Sequence, residues 1–187
     1  MRVDLFTTIH KGVRSLLFDL AADAAKVDVT STASVDALCA KVERVIAFLD
    51  EHSKLEGVFV IPEVRALDPD LGEELAYDHR ALDAVQAEVA IAAEAVQLAD
   101  LSHRPRAGAQ LARVINHLVA VQLLHMNREE TEINATLWAG RDDGALADLR
   151  RRIEQSIPRD RLAEWMAIVA PALSPVERRM MAGPPVG

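Results

Sequence analysis

His52-Ser53-Lys54-Leu55-Glu56 and His125-Met126-Asn127-Arg128-Glu129 share one pattern, a histidine followed four positions later by a glutamate. Each lies inside a long stretch with helical periodicity. Four residues is about one helical turn, so each imidazole and its carboxylate point to one side. Two further histidines, His10 and His79, fall one each in the two other long helical stretches. Four helices therefore offer four histidines and two glutamates to a shared interior. Such an interior has little reason to hold six polar, metal-seeking groups unless a cation sits among them.

The flanking residues define the helices. Val3, Phe6, His10, Val13 and Leu17 recur at spacings of three and four, which predicts a helix from Arg2 to Lys26 with His10 on its apolar face. A second helix is expected from Ser34, as N-cap, to about Leu67. Its inward stripe reads Leu38, Val45, Phe48 or Leu49, His52, Glu56 and Phe59, with Glu63 further along. Pro62 should kink or interrupt it, because proline lacks a backbone donor and clashes with the preceding turn. Asp68-Pro69-Asp70-Leu71-Gly72 reads as a turn. A third helix follows from Glu73 to Leu101, with Leu75, His79, Leu82, Val89 and Ala93 on its core face. After a loop at Ser102 to Arg106, a fourth runs from Ala107 to Trp138. Its stripe is Leu111, Val114, Leu118, Val121, His125, Glu129 and Glu132.

Gly140 to Gly144 breaks the chain, and two shorter helices are expected at Ala145 to Gln155 and Arg159 to Val169. Ser174-Pro175-Val176-Glu177 is a capping-box start for a last helical turn or two. Gly183 to Gly187 reads as a disordered tail. These readings predict an all-α fold. Residues 1–140 would form an up-down-up-down four-helix bundle, and residues 141–187 short C-terminal helices and a flexible tail.

Composition narrows the function classes. A chain of 187 residues suits one large-cored domain, and its 50% hydrophobic but only 4% aromatic content favours packed helices. The formal net charge of −8 argues against a nucleic-acid partner. A single cysteine, Cys39, allows no internal disulfide and fits a reducing compartment. No apolar run approaches the roughly 20 residues of a membrane span. The amphipathic start carries Asp4, Asp19 and Asp23 and reads as a structural helix, not a signal peptide. The expected location is the cytoplasm, with no membrane partner.

One His-x-x-x-Glu pair on a surface helix is commonly a weak i,i+4 contact. Position changes the reading here. His52 and Glu56 share a stripe with Phe48 and Phe59, and His125 and Glu129 share one with Leu118 and Val121. A buried carboxylate without a cation costs several kcal/mol. His10 lies early in its helix, His52 and Glu56 late, His79 early, His125 and Glu129 late. In an alternating bundle that order brings all six groups to one end, in one layer. Imidazole and carboxylate without thiolate suit iron, manganese or zinc. Six ligands exceed one tetrahedral zinc and suit two metals bridged by the glutamates, each capped by two histidines. Iron is favoured, with manganese or zinc possible. A ferritin-like reading needs Glu-x-x-His motifs, and no histidine here has a glutamate three residues before it.

His10, His52-x-x-x-Glu56, His79 and His125-x-x-x-Glu129 resemble the hemerythrin-like (HHE cation-binding) family over about residues 1–138. The resemblance implies a non-haem di-iron centre in which Glu56 and Glu129 bridge and His10, His52, His79 and His125 are terminal ligands. The oxygen carriers of that family have a second histidine on the third helix. Here the position four before His79 is Leu75 and the one four after is Asp83. The four-histidine, two-glutamate set is more similar to the family's iron–sulfur repair proteins and to its iron-sensing ubiquitin-ligase domain.

The expected function is binding or sensing of O2, NO, peroxide or iron status through a carboxylate-bridged di-iron pair. An alternative is a di-iron enzyme that reduces peroxide or NO, or repairs iron–sulfur centres; another is a metal-free structural bundle. Small diatomic ligands or peroxide, a redox partner and a second copy of the chain are the partners considered. His117, about 80° off the ligand stripe, reads as a helix-edge residue. His103 reads as a solvated loop residue, Glu63 and Glu132 as bundle-end carboxylates, Cys39 as core, and Tyr77 as pointing away.

Overall fold

The computed structural model describes residues 2–181, and the secondary structure among them is entirely helical. The helices are α1 (Thr7–Lys26), α2 (Thr32–Leu55), α3 (Ile61–Leu67), α4 (Pro69–Leu98), α5 (Arg104–Arg128), α6 (Asn134–Gly140), α7 (Asp143–Ser156), α8 (Arg159–Ala172) and α9 (Pro175–Met181). Glu56–Val60 joins α2 to α3 as a π-helical turn, and Glu129–Ile133 joins α5 to α6 in the same way. The expected disordered tail, Gly183 to Gly187, lies outside the described residues.

Helix starts follow the local capping chemistry and correct three expected boundaries. The Asp4 carboxylate accepts from the amides of Phe6 (2.8 Å) and Thr7 (3.0 Å), so α1 opens at Thr7 and not at Arg2. Ser31, not Ser34, caps α2: its hydroxyl accepts from the Ser34 amide at 3.2 Å. Asp68 caps α4 by accepting from the Leu71 amide at 3.0 Å. Pro69 occupies the first turn of α4, where a missing N–H costs nothing. The stretch read as a turn at Asp68 to Gly72 is therefore largely the beginning of α4. The chain reverses sharply there because Gly72 lets the backbones touch; a Cβ on it would lie 2.7 Å from Arg65 Cα.

The π turns are the main departure from the expected stripes. A π turn takes one residue more than an α turn. Beyond Glu56, Val60 and Val64 are buried where a continuous α-helix would bury Phe59 and Glu63. Beyond Glu129, Ile133 and Leu137 are buried and Glu132 is exposed. The first π turn also settles Pro62, which falls in the opening turn of α3 just after the bulge.

The four long helices pack in a closed sequence of neighbours: α1 on α2, α2 on α4, α4 on α5, and α5 on α1. Their apolar faces form two buried clusters. The larger includes Leu17, Leu20, Val42, Leu49, Val89 and Leu118. The smaller gathers Phe6, Val60, Val64, Leu75, Ile133 and Leu137, with Leu146 from α7. α8 packs along α1 and sends Trp165 into the larger cluster. Gly12 permits this approach, since a Cβ there would lie 2.9 Å from Val169 Cγ2. The capping box at Ser174 forms as read: Glu177 accepts from the Ser174 amide at 2.8 Å, and the Ser174 hydroxyl from the Glu177 amide at 3.3 Å. No helix among the described residues is long and apolar enough to cross a membrane.

Candidate metal centre

All six residues singled out from the sequence converge. His10 comes from α1, His52 from the last turn of α2, His79 from α4 and His125 from the last turn of α5. Glu56 and Glu129 are the first residues of the two π turns. Within each His-x-x-x-Glu unit the i,i+4 spacing does what it predicts: His52 Nε2 lies 3.2 Å from Glu56 Oε1, and His125 Nε2 lies 3.3 Å from Glu129 Oε1.

The six residues form two overlapping groups, His10–His52–Glu56–Glu129 and Glu56–His79–His125–Glu129, whose ligand atoms lie within 4.8 Å of one another in each group. Both carboxylates belong to both groups, and each turns a different oxygen to each side. Glu56 faces His52 and His10 with Oε1 (3.2 and 3.9 Å) and His79 with Oε2 (3.6 Å). Glu129 faces His10 with Oε2 (3.3 Å), and His125 and His79 with Oε1 (3.3 and 3.8 Å). The imidazoles pair edge-on across the layer, His10 with His52 at 5.3 Å and His79 with His125 at 4.9 Å between ring centres.

Burial makes this arrangement costly without a cation. His10 and Glu129 are 0% exposed, and the most exposed of the six reaches only 9%. Both oxygens of each glutamate, and the Nε2 atoms of His10, His52 and His79, are buried without hydrogen-bond partners among the described residues. The donors face inward and stay unsatisfied, a pattern that buried polar groups rarely tolerate. Imidazole nitrogens and carboxylate oxygens are the donor types that iron, manganese and zinc accept. The set therefore fits a metal ion, and these buried groups could hold one.

The charges of the layer act on one another. Burial works against charge on His10, yet the neighbouring Glu129, Glu130 and Glu56 outweigh it and hold its pKa well above the ordinary value. Burial likewise works against the Glu129 anion, but His10, His125 and His79 hold its pKa well below the usual carboxylate range. His125 is raised, with burial opposed by Glu129. Burial pushes His52 down. The buried carboxylates thus favour positive charge at His10 and His125 and not at His52.

Two contacts around these residues carry no signal in the sequence. Glu130, next to Glu129, accepts from His10 Nδ1 at 2.9 Å and from Arg14 Nη1 at 2.8 Å. Trp165 packs against Phe48 and stands 6.3 Å from the His52 ring, its indole N–H donating to Glu51 at 3.0 Å. A glutamate following a glutamate carries no periodic signal, and contacts from α8 are invisible to local periodicity. Among the residues set aside, His117, His103, Glu132 and Tyr77 are exposed and away from the layer, and Cys39 is buried. His103 is held by Asp100 at 2.8 Å, Glu132 by Arg128 at 2.8 Å, and Glu63 by Arg141 at 3.0 Å. Leu75 is fully buried in the smaller apolar cluster.

No protein-family model, curated protein or solved structure matches the chain.

Proposed function

We propose that this protein is a non-haem di-iron protein with a hemerythrin-like, up-down-up-down four-helix bundle over residues 1–140. In this reading it binds or senses O2, NO, peroxide or iron status. The observation that carries the reading is the division of the two carboxylates, with opposite oxygens of Glu56 and of Glu129 turned to His10 and to His79. One cation would not need that division, whereas two neighbouring cations do. His10 and His52 would hold one ion, His79 and His125 the other, and Glu56 and Glu129 both. Manganese or zinc can occupy the same donors. An iron pair held there would supply redox-active binding of small molecules.

The chain's own residues set the conditions for that chemistry. Two carboxylates neutralise half the charge of two divalent ions, and the imidazoles complete the coordination without adding charge. Phe6 and Leu75 in one buried apolar cluster and Leu49 and Met126 in the other flank the layer and lower its polarity. Leu75 supplies no donor, so the His79 and His125 side depends on two imidazoles. The test is metal analysis of protein produced with iron and purified without air, followed by absorption spectra before and after O2 or NO. About two irons per chain and a spectrum that responds to either gas are expected. No more than trace transition metal after iron supplementation would refute the proposal.

A further inference from the structure

The two halves of the layer are not supported alike. On one side, His10 is enclosed completely, and both of its ring nitrogens face carboxylates: Nε2 lies 3.3 Å from Glu129 Oε2 and Nδ1 donates to Glu130 Oε1 at 2.9 Å. Glu130 is itself held by Arg14 at 2.8 Å, so its carboxylate is fixed in place. An anion at Nδ1 fixes a proton there, so Nε2 is the nitrogen left to meet a cation in the layer. On the other side, His125 Nδ1 is buried with no hydrogen-bond partner among the described residues. Its tautomer and ring orientation are not set from behind.

Resting on the two-metal reading above, we infer that Glu130 is a positioning residue that makes the two metal positions unequal, so that the His10–His52 position fills first. Glu130 touches no metal in this arrangement. It acts through His10 by fixing the ring and raising its basicity, while Arg14 keeps Glu130 in place. Partners behind a ligating histidine commonly change metal affinity by roughly 10- to 100-fold. Glu129 and Glu130 are consecutive, yet they reach opposite nitrogens of the same ring. Substitution of Glu130 therefore separates support of His10 from loss of a shared ligand.

The test uses the full-length protein, stripped of metal and labelled with 15N in its histidines, titrated with Zn2+ as a colourless, redox-inert probe. At one equivalent, the ring-nitrogen signals of His10 and His52 should move to metal-bound positions, while those of His79 and His125 stay free. A competing chromophoric chelator should report two dissociation constants. Glu130→Ala should weaken the tighter one by roughly 10- to 100-fold, leave the weaker one within a few-fold, and spread the first equivalent over all four histidines. Glu130→Gln, which keeps a neutral acceptor, should fall between the two. The free protein supplies a readout that misfolding would not mimic: at a pH where His10 is neutral, its remaining proton should stay on Nδ1 in wild type and lose that preference in Glu130→Ala. Equal filling of both positions in wild type, or unchanged selectivity in Glu130→Ala, overturns the inference and leaves the two-metal reading standing. Failure of the wild type to bind Zn2+ overturns the reading itself.

Discussion

Gly12→Ala tests the seating of α8 beside the candidate centre. A Cβ at Gly12 would stand 2.9 Å from Val169 Cγ2 and 3.2 Å from Val169 Cα. The first distance is about half an ångström short of ordinary contact, and the second involves backbone. A β-branched side chain in a helix has one strongly preferred rotamer, so Val169 cannot swing aside. The α8 backbone must move. Overpacking of this kind costs roughly 1–3 kcal/mol, and the backbone involvement points to the upper half of that range. Alanine returns about 1 kcal/mol through its better helix propensity. The net loss is about 1–2 kcal/mol, or roughly 2–8 °C in Tm for a chain of this size. Gly57→Ala is the matched control, because a Cβ at Gly57 meets nothing within 4 Å. It should stabilise the protein by about 0.5–1 kcal/mol. Urea denaturation followed by circular dichroism measures both. Acrylamide quenching of Trp165 in a Trp138→Phe background reports whether the ring loosens from Phe48 and His52. A Gly12→Ala protein as stable as wild type, with Trp165 still protected, would show that α8 does not bear on α1 at this point.

Further outcomes follow from the site. Glu56→Ala and Glu129→Ala should each lower bound metal, measured by elemental analysis, far more than His117→Ala, since His117 is exposed and off the layer; equal occupancy in the three variants would remove the bridging assignment. The raised pKa of His10 sets the pH response. In metal-free protein its contribution to stability is complete below the unfolded histidine pKa of about 6.5 and is lost as pH rises through the higher folded value. Metal must displace that proton, so Zn2+ affinity should rise over the same range, by at most about tenfold per pH unit for one proton. A chelator-treated protein whose urea midpoint is flat from about pH 6 to about pH 9 would contradict the assignment. Leu75→His places an imidazole in the apolar cluster with Phe6, Val60 and Ile133. It should cost the metal-free protein about 1–3 kcal/mol, and metal loading should recover part of that loss if the new ring reaches the ion; no recovery would place position 75 out of reach.

The convergence of the six residues was legible because their placement depends on periodicity, and periodicity is local. The stripes through His10 and His79 hold residue by residue: Val3 is half-buried, and Phe6, Val13, Leu17, Leu75, Leu82, Val89 and Ala93 are all buried. The i,i+4 geometry of His52–Glu56 and His125–Glu129 survives because the π turns begin at the glutamates and not before them. Past that point the 3.6-residue period fails. For that reason the extrapolated stripes run through Phe59 and on toward Glu63 and Glu132, none of which is fully buried. Nothing in composition signals where a helix takes up one more residue; Pro62 alone hinted at it, for the first of the two turns. The hydrogen bonds of Arg161 and Trp165 on α8 to Glu51, and the Glu130–His10–Arg14 contact, join residues 110 or more positions apart in the chain, and no local pattern encodes them.

The layer of six polar residues also divides the interior. Along α1 the order is Phe6, His10, Val13; along α2 and its π turn it is Leu49, His52, Glu56, Val60. Each crosses from one apolar cluster to the other through the layer. The two clusters therefore share no continuous apolar packing at this level, and cooperativity must pass through unsatisfied imidazoles and carboxylates. Without metal, the smaller end, built from α3, α6 and the first turns of α4, should open as a separate unit. In native-state hydrogen exchange its amides should exchange at a lower free energy than those in the middle of α2 and α5. A cation pair gripping all four long helices would act as a rivet, raising both ends to one common opening energy. A single exchange free energy throughout the metal-free protein would show that the polar layer does not interrupt it.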